Sequence, residues 1–273
     1  AAHPAATLQG FTGLKSFHPI LLCFLVAMLH IAASGAAPEF EWVQTKGSTT
    51  DDGAAGVATD AEGNVYWSGV NLSDGLYVMK LDRSRQPRWS TTIPGIGPVG
   101  NVRLAVDNSS VFVVGFTLTG SISFPQGRIA GWFLASFASA TGNLNWVRSL
   151  GFDRVDAGVA TDGLGNVVVT GQFIDSLQID NDRFAAQGTD GFAAKFSSSG
   201  SLIWLQQIGG ASFEAASSVS SDSAGNTYVV GHFVSSAAVF GQVTVPNAGG
   251  ADGFIAKYDS SGQLVWVRAI GGI

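Results

Sequence analysis

Residues 252–272 read DGFIAKYDSSGQLVWVRAIGG, and residues 190–210 read DGFAAKFSSSGSLIWLQQIGG. A near-copy this long marks tandem architecture, so the repeat unit has to be found before any local element is assigned. Within the copy, a Gly-led stretch of apolar residues meets a Ser/Gly turn and then a second apolar stretch headed by Trp. That is strand, tight turn, strand.

Working outward, the Trp-headed strand recurs five times, as WVQTKG, WSTTIPG, WVRSLG, WLQQIGG and WVRAIGG, led by Trp42, Trp89, Trp146, Trp204 and Trp266. The spacings are 47, 57, 58 and 62 residues. Between successive Trp strands lies a second hairpin: GVATDAEGNVYWSG (56–69), GVATDGLGNVVVTG (158–171), SVSSDSAGNTYVVG (218–231) and the altered RLAVDNSSVFVVG (103–115). Asp60, Asp107, Asp162 and Asp222 take the first turn position, where a carboxylate accepts neighbouring backbone N–H groups. Gly63-Asn64, Gly165-Asn166 and Gly225-Asn226 supply the positive φ that a tight hairpin needs. Four antiparallel strands in each ~50–60 residues predict an all-β chain folded as a β-propeller. The Trp residues are then packing wedges between blades. Trp132 is aligned with Leu76, Phe192 and Phe254 as a further core position, and Trp67 stands where the other repeats carry Val.

The pattern GVATD-x-x-GN-VYV-x-G … DGF-x-AKYD-x-SG-x-LVW-x-R-x-IGG resembles the SBBP-type β-propeller repeat family. The resemblance covers 42–273 and departs from the pattern at Asn108-Ser109-Ser110. It implies a propeller fold and export, and it implies no catalytic residues. The repeat units are 42–88, 89–145, 146–203 and 204–265, with 266–273 as a closing or last-blade strand. Four middle sets against five Trp strands lead us to expect about four blades of a larger or truncated propeller; a closed ring would be monomeric.

Residues 1–37 form an N-terminal segment. Within it, Lys15, the apolar run Ile20 to Ala33 and the small residues up to Ala37 read as a secretory signal peptide. The run is too short to span a bilayer unaided. A membrane association is therefore expected only through an uncleaved signal or a missing domain, and the site of action is outside the cell or at its surface. Cys23, the only cysteine of the chain, falls in this segment, so the propeller must stand on its core rather than on disulfides. Residues 38–273 carry 20 acidic and 13 basic side chains, a balance that repels phosphate backbones and excludes nucleic acid as a partner. The basic cluster Arg83, Arg85 and Arg88 reads as a solvated strand connection.

Variable insertions at 119–130, 175–188 and 235–250 read as short hairpins turning at Pro125-Gln126-Gly127, Asn181-Asp182 and Gly241-Gln242. Their expected place is one rim of the disc, with Phe124, Arg128, Asp180, Asp182, Arg183 and Gln242 as candidate binding residues for a protein or glycan; the simpler alternative is that they cover sheet edges. Asp180-Asn181-Asp182 has oxygen ligands for Ca²⁺ but is equally a turn. No metal, cofactor or catalytic residue is assigned. His232, the only histidine after residue 37, cannot build a multi-histidine site and reads as a packing variant. The acid pairs Asp156/Asp162 and Asp51/Asp52 are weak candidates for glycoside chemistry. A polysaccharide hydrolase or lyase, or a structural spacer, therefore stands as the alternative to a binding module. Asn71 and Asn108 head N-glycosylation sequons.

Overall fold

The computed structural model describes residues 52–71, 75–96, 99–151 and 158–272. The expected signal segment, Trp42 with the strand expected there, Asp51, Asp156 and the Asn71 side chain lie outside the described residues.

The described residues form strands and turns only, in four small antiparallel sheets arranged as the blades of a β-propeller. Blade one runs β1 (Asp52–Thr59), β2 (Val65–Asn71), β3 (Gly75–Leu81) and β4 (Pro87–Ile93) in sheet order. Blade two contains β5 (Gly95–Ile96), β6 (Val99–Val106), β7 (Ser110–Phe124), β8 (Gly127–Ala138) and β9 (Leu144–Gly151), with β6 and β5 both paired to β7. Blade three runs β10 (Gly158–Thr161), β11 (Val167–Ile179), β12 (Asp182–Phe196) and β13 (Leu202–Gly209). Blade four runs β14 (Glu214–Ser221), β15 (Thr227–Phe233), β18 (Asp252–Tyr258) and β19 (Leu264–Ile270), and the hairpin β16 (Ala237–Phe240) and β17 (Val243–Pro246) crosses to pair with β13. The Trp strand therefore closes each sheet, and the blades are offset from the Trp-to-Trp repeat.

The β1–β2 type of turn is held as its Asp predicts. Asp162 Oδ1 accepts the N–H groups of Leu164 at 2.9 Å and Asn166 at 3.1 Å, and Oδ2 accepts the Asn166 amide at 2.8 Å. Asp60 and Asp222 repeat the pattern and add a tyrosine hydroxyl, from Tyr66 and Tyr228. Gly63, Gly165 and Gly225 have φ of 81°, 91° and 79°. Buried Lys195 lies 2.8 Å from Asp162 and donates to the Gly225 carbonyl of the next blade at 3.1 Å. Burial pushes the Asp162 carboxyl up, but Lys195, Asn166 and two backbone N–H groups outweigh it and hold the group below its ordinary 3.8. Blade two has Ser136 where the others have Lys, and there Asp107 Oδ2 has no partner among the described residues.

A sheet face is apolar where it meets a neighbouring blade. Among the described residues the buried side chains form three clusters, joining blades one and two, two and three, and three and four. At each junction the Trp of one blade lies on the turn glycine of the next. A Cβ placed on Gly142 would stand 2.5 Å from the Trp89 ring, on Gly200 2.7 Å from Trp146, and on Gly262 2.5 Å from Trp204. The indole N–H groups of Trp89 and Trp146 donate to the Ser139 and Ser198 carbonyls at 3.0 and 2.7 Å.

Strand pairing corrects the alignment of Trp132. It pairs with Phe116 as Gly191 pairs with Gln172 and Gly253 with His232, so Phe133 is the true counterpart of Phe192 and Phe254. One residue of slip reverses the face. Trp132 consequently packs toward blade three and Phe133 toward blade one. Trp67 lies half-buried on the outer side of blade one, edge-on to Tyr77 at 5.4 Å.

Gly200→Ala is expected to lower stability by about 2–4 kcal/mol, the left-handed backbone and the clash with Trp146 acting together. Gly163→Ala, with φ of 70° and open space at its Cβ, isolates the backbone part at ~1–2 kcal/mol. Urea denaturation of the two variants should separate them; equal losses would show that the indole contact contributes nothing.

Candidate functional site

The insertions are hairpins, turning at Pro125-Gln126, Asp180-Asn181 and Gly241-Gln242. Each leans back over the outermost strand of the preceding blade. The β7–β8 end pairs with β5, which continues β4. The β11–β12 tip is held by Arg148 on β9, whose guanidinium grips Asp180 through two bonds of 2.9 and 3.3 Å. The third hairpin continues the β13 edge through Ile208–Phe240 and Gly209–Val239. The hairpins thus cover sheet edges.

This placement sorts the expected rim residues. Phe124 is only 5% exposed and packs edge-on to Phe133 in the core between blades one and two, so it offers no surface to a ligand. Asp180 is spent on Arg148, and its φ of 53° marks it as a turn residue. Arg128, Asp182, Arg183 and Gln242 are exposed, on hairpins of three different blades. Asn108 is exposed in its turn, and His232 stacks on Phe213 at 5.4 Å. Among the described residues, no group of three or more His, Cys, Asp or Glu is placed to hold a metal ion.

Between the second and third hairpins a groove of about 580 Å³ opens above the end of β13. Its floor is Gln206, Gln207, Gly209 and Gly210, and its walls include Phe184 and Val239. The two glycines leave one end of the floor bare of side chains. Beneath it Asp190, 2% exposed, begins the sheet portion of β12 where the hairpin stem ends. The Gln207 amide donates to the Ala185 carbonyl at 2.9 Å and, through a short bond, to Asp190 Oδ2. Glu214, fully buried at the start of β14, faces Gly210 so closely that a Cβ there would overlap its carboxyl group.

Both acids are poorly solvated. Burial raises the Asp190 carboxyl above its ordinary value despite bonds from Gln207 and the Gly210 N–H. Burial also raises Glu214, with the charge of Asp190 adding to it, against hydrogen bonds from Ser235. Asp190 Oδ1 and Glu214 Oε2 have no partner among the described residues. The result is a groove whose accessible polar groups are neutral amides over a sequestered acid, with no cation in its lining. Such a surface suits an uncharged ligand with hydroxyl or amide groups. A larger polar depression beside Lys80, Arg83 and Arg88 has its charges partly matched internally, Arg88 lying 2.5 Å from Asp82. The sequence does hold a signal for the groove: Asp190 and Asp252 both head the repeated DGF stretch, although only the glycine there is read as structural.

Searches against known family models and against curated proteins found no match.

The raised carboxyls make a pH prediction. A carboxylate raised in the folded state destabilises the fold above that raised pKa, and the effect vanishes below the unfolded value. Glu214→Gln should therefore melt higher than the parent at pH 7, with the gap closing as pH falls toward 4.5, the ordinary value for the side chain. Melting curves from pH 4 to 8 check this, and a gap that widens toward low pH would contradict it.

Proposed function

We propose that this chain is a secreted or cell-surface binding module whose hairpin-walled groove takes a neutral glycan segment. The observation that carries this reading is the groove lining itself: amides of Gln206 and Gln207, the aromatic side chain of Phe184 and no cation. Amides match the mixed donor and acceptor pattern of sugar hydroxyls, and an aromatic wall accepts the apolar face of a pyranose. A neutral peptide backbone has similar chemistry but gains less from an isolated aromatic wall. Export rests on the leader pattern of residues 15–37, and kinship with SBBP-type repeats rests on the quoted motif.

Hydrolysis is the weaker reading. It requires two acids facing one cleft, whereas Asp190 lines the groove and Glu214 does not.

The test is calorimetric titration of the full chain with neutral oligosaccharides chosen by glycan array, alongside product analysis for new reducing ends. Gln206→Ala should weaken binding by about 5- to 20-fold, in line with ~1–2 kcal/mol for a lost hydrogen bond, while Arg128→Ala on a distant hairpin should leave it unchanged. Array-wide absence of binding, or equal loss in both variants, would overturn the groove as the site. Reducing ends that disappear with Asp190→Asn would transfer support to the hydrolase.

A further inference from the structure

We propose that the outward face of blade four is a docking surface for another blade of this repeat type, one carrying glycine in its β3–β4-type turn. The forward face of blade three, which blade four covers, is formed by Val168, Thr170, Ala193, Lys195, Trp204 and Ile208, none more than 5% exposed. Strand pairing puts Tyr228, Val230, Ile255, Lys257, Trp266 and Ile270 at the same positions of blade four. None of these six is buried; Val230 is 40% and Ile270 73% exposed. The side chains have kept the chemistry of an interface that, at blade four, is left open among the described residues.

What would cover it follows from the junctions inside the molecule. Trp146-Val147-Arg148 on β9 is repeated as Trp266-Val267-Arg268 on β19. At the first copy, the Trp146 ring rests on Gly200, its N–H donates to the Ser198 carbonyl at 2.7 Å, and Arg148 Nε donates to the Gly200 carbonyl at 2.7 Å. At the second, Arg268 is exposed and, among the described residues, reaches the Val267 carbonyl beside it, at 3.1 Å. Lys195 and Lys80 each donate to a carbonyl of the following blade, at 3.1 and 3.2 Å. Lys257 stands over its own Tyr228 ring, 5.2 Å from the centroid, as Lys80 does over Tyr66 at 4.9 Å. The surface therefore presents an indole, a guanidinium and an ammonium, the groups that grip a glycine turn and its carbonyls at the earlier junctions.

A second copy of the chain is a poor occupant. Face-to-face pairing would oppose Lys257 and Arg268 with their own copies. Head-to-tail pairing would bring Trp266 against the β3–β4 turn of blade one, Asp82-Arg83-Ser84-Arg85, where Arg85 with φ of 66° fills the place taken by Gly142, Gly200 and Gly262 in the other blades. A Cβ at that place meets the indole in all three observed junctions. Blade one therefore lacks the glycine turn that Trp266 would need.

The experiment uses the full chain and the full chain extended by a second copy of residues 211–273. Hydroxyl-radical footprinting reads Tyr228, Ile255 and Trp266 residue by residue. In the unextended protein Trp266 should oxidise about five times faster than Trp204, as expected for an open against a closed surface. In the extended chain that difference should disappear, and Gly262→Arg in the added copy alone should restore it. If Trp266 is already protected in a monomer, blade one covers it, and if it is protected in a dimer, a second copy does; either result overturns the proposal. An extended chain in which Trp266 stays open, or in which Gly262→Arg changes nothing, overturns it as well.

Discussion

The contact on which this architecture rests is an indole lying on a bare glycine Cα across each blade boundary. It does three things at once. The missing Cβ lets the ring reach backbone distance, the positive φ of Gly142, Gly200 and Gly262 turns the strand back at that point, and at the first two junctions the indole N–H and the residue two positions on take up nearby carbonyls. Burying an aromatic ring stabilises by roughly 1.5–3 kcal/mol, but here the geometry matters as much as the area. Because the glycine sits in the turn that precedes the next Trp strand, each junction positions the wedge for the one after it, as expected of repeats stabilised through nearest neighbours.

That logic explains which parts of the fold were legible in the sequence. Trp, Gly and the turn Asp are local signals with fixed offsets, so the strand count, the hairpin turns and the wedges follow directly from spacing. Trp132 shows where spacing fails. The stretch AGWFLASFA carries no marker separating Trp132 from Phe133, and with a period of two a single residue of slip exchanges faces. Only the pairing of Phe116 with Trp132 settles which side each ring occupies. Phe124 failed for another reason: it flanks a Pro-Gln-Gly turn, which suggests exposure, yet the hairpin bends back and buries it.

The candidate groove was less legible because it is assembled from three separated segments. Phe184 comes from the second hairpin, Gln206 and Gln207 from β13, and Val239 from a hairpin that belongs by sequence to blade four but pairs with blade three. Nothing local to residues 237–246 announces that exchange. Glu214 is likewise visible only in three dimensions, since its neighbours Gly210 and Ser235 approach it through chain reversal. What the sequence does disclose is the double glycine of IGG, one end of the floor without side chains.

The fold holds two kinds of buried acid. Asp162 is lodged among donors, with an amide, two backbone N–H groups and Lys195, and its charge is held in place. Asp190 and Glu214 have fewer donors and one unpartnered oxygen each. Leaving a buried oxygen unsatisfied costs about 1–3 kcal/mol, and Asp252, which holds the place of Asp190 in blade four, also keeps one oxygen without a partner among the described residues. The turn acids recur at every blade because the turn requires them; the Asp190–Glu214 arrangement sits beside an open groove and beneath a glycine floor. The unpartnered oxygen at Asp190 recurs at the head of the DGF stretch in blade four, and what stands beside the groove in addition is a second buried acid, Glu214, whose carboxyl the charge of Asp190 pushes further up.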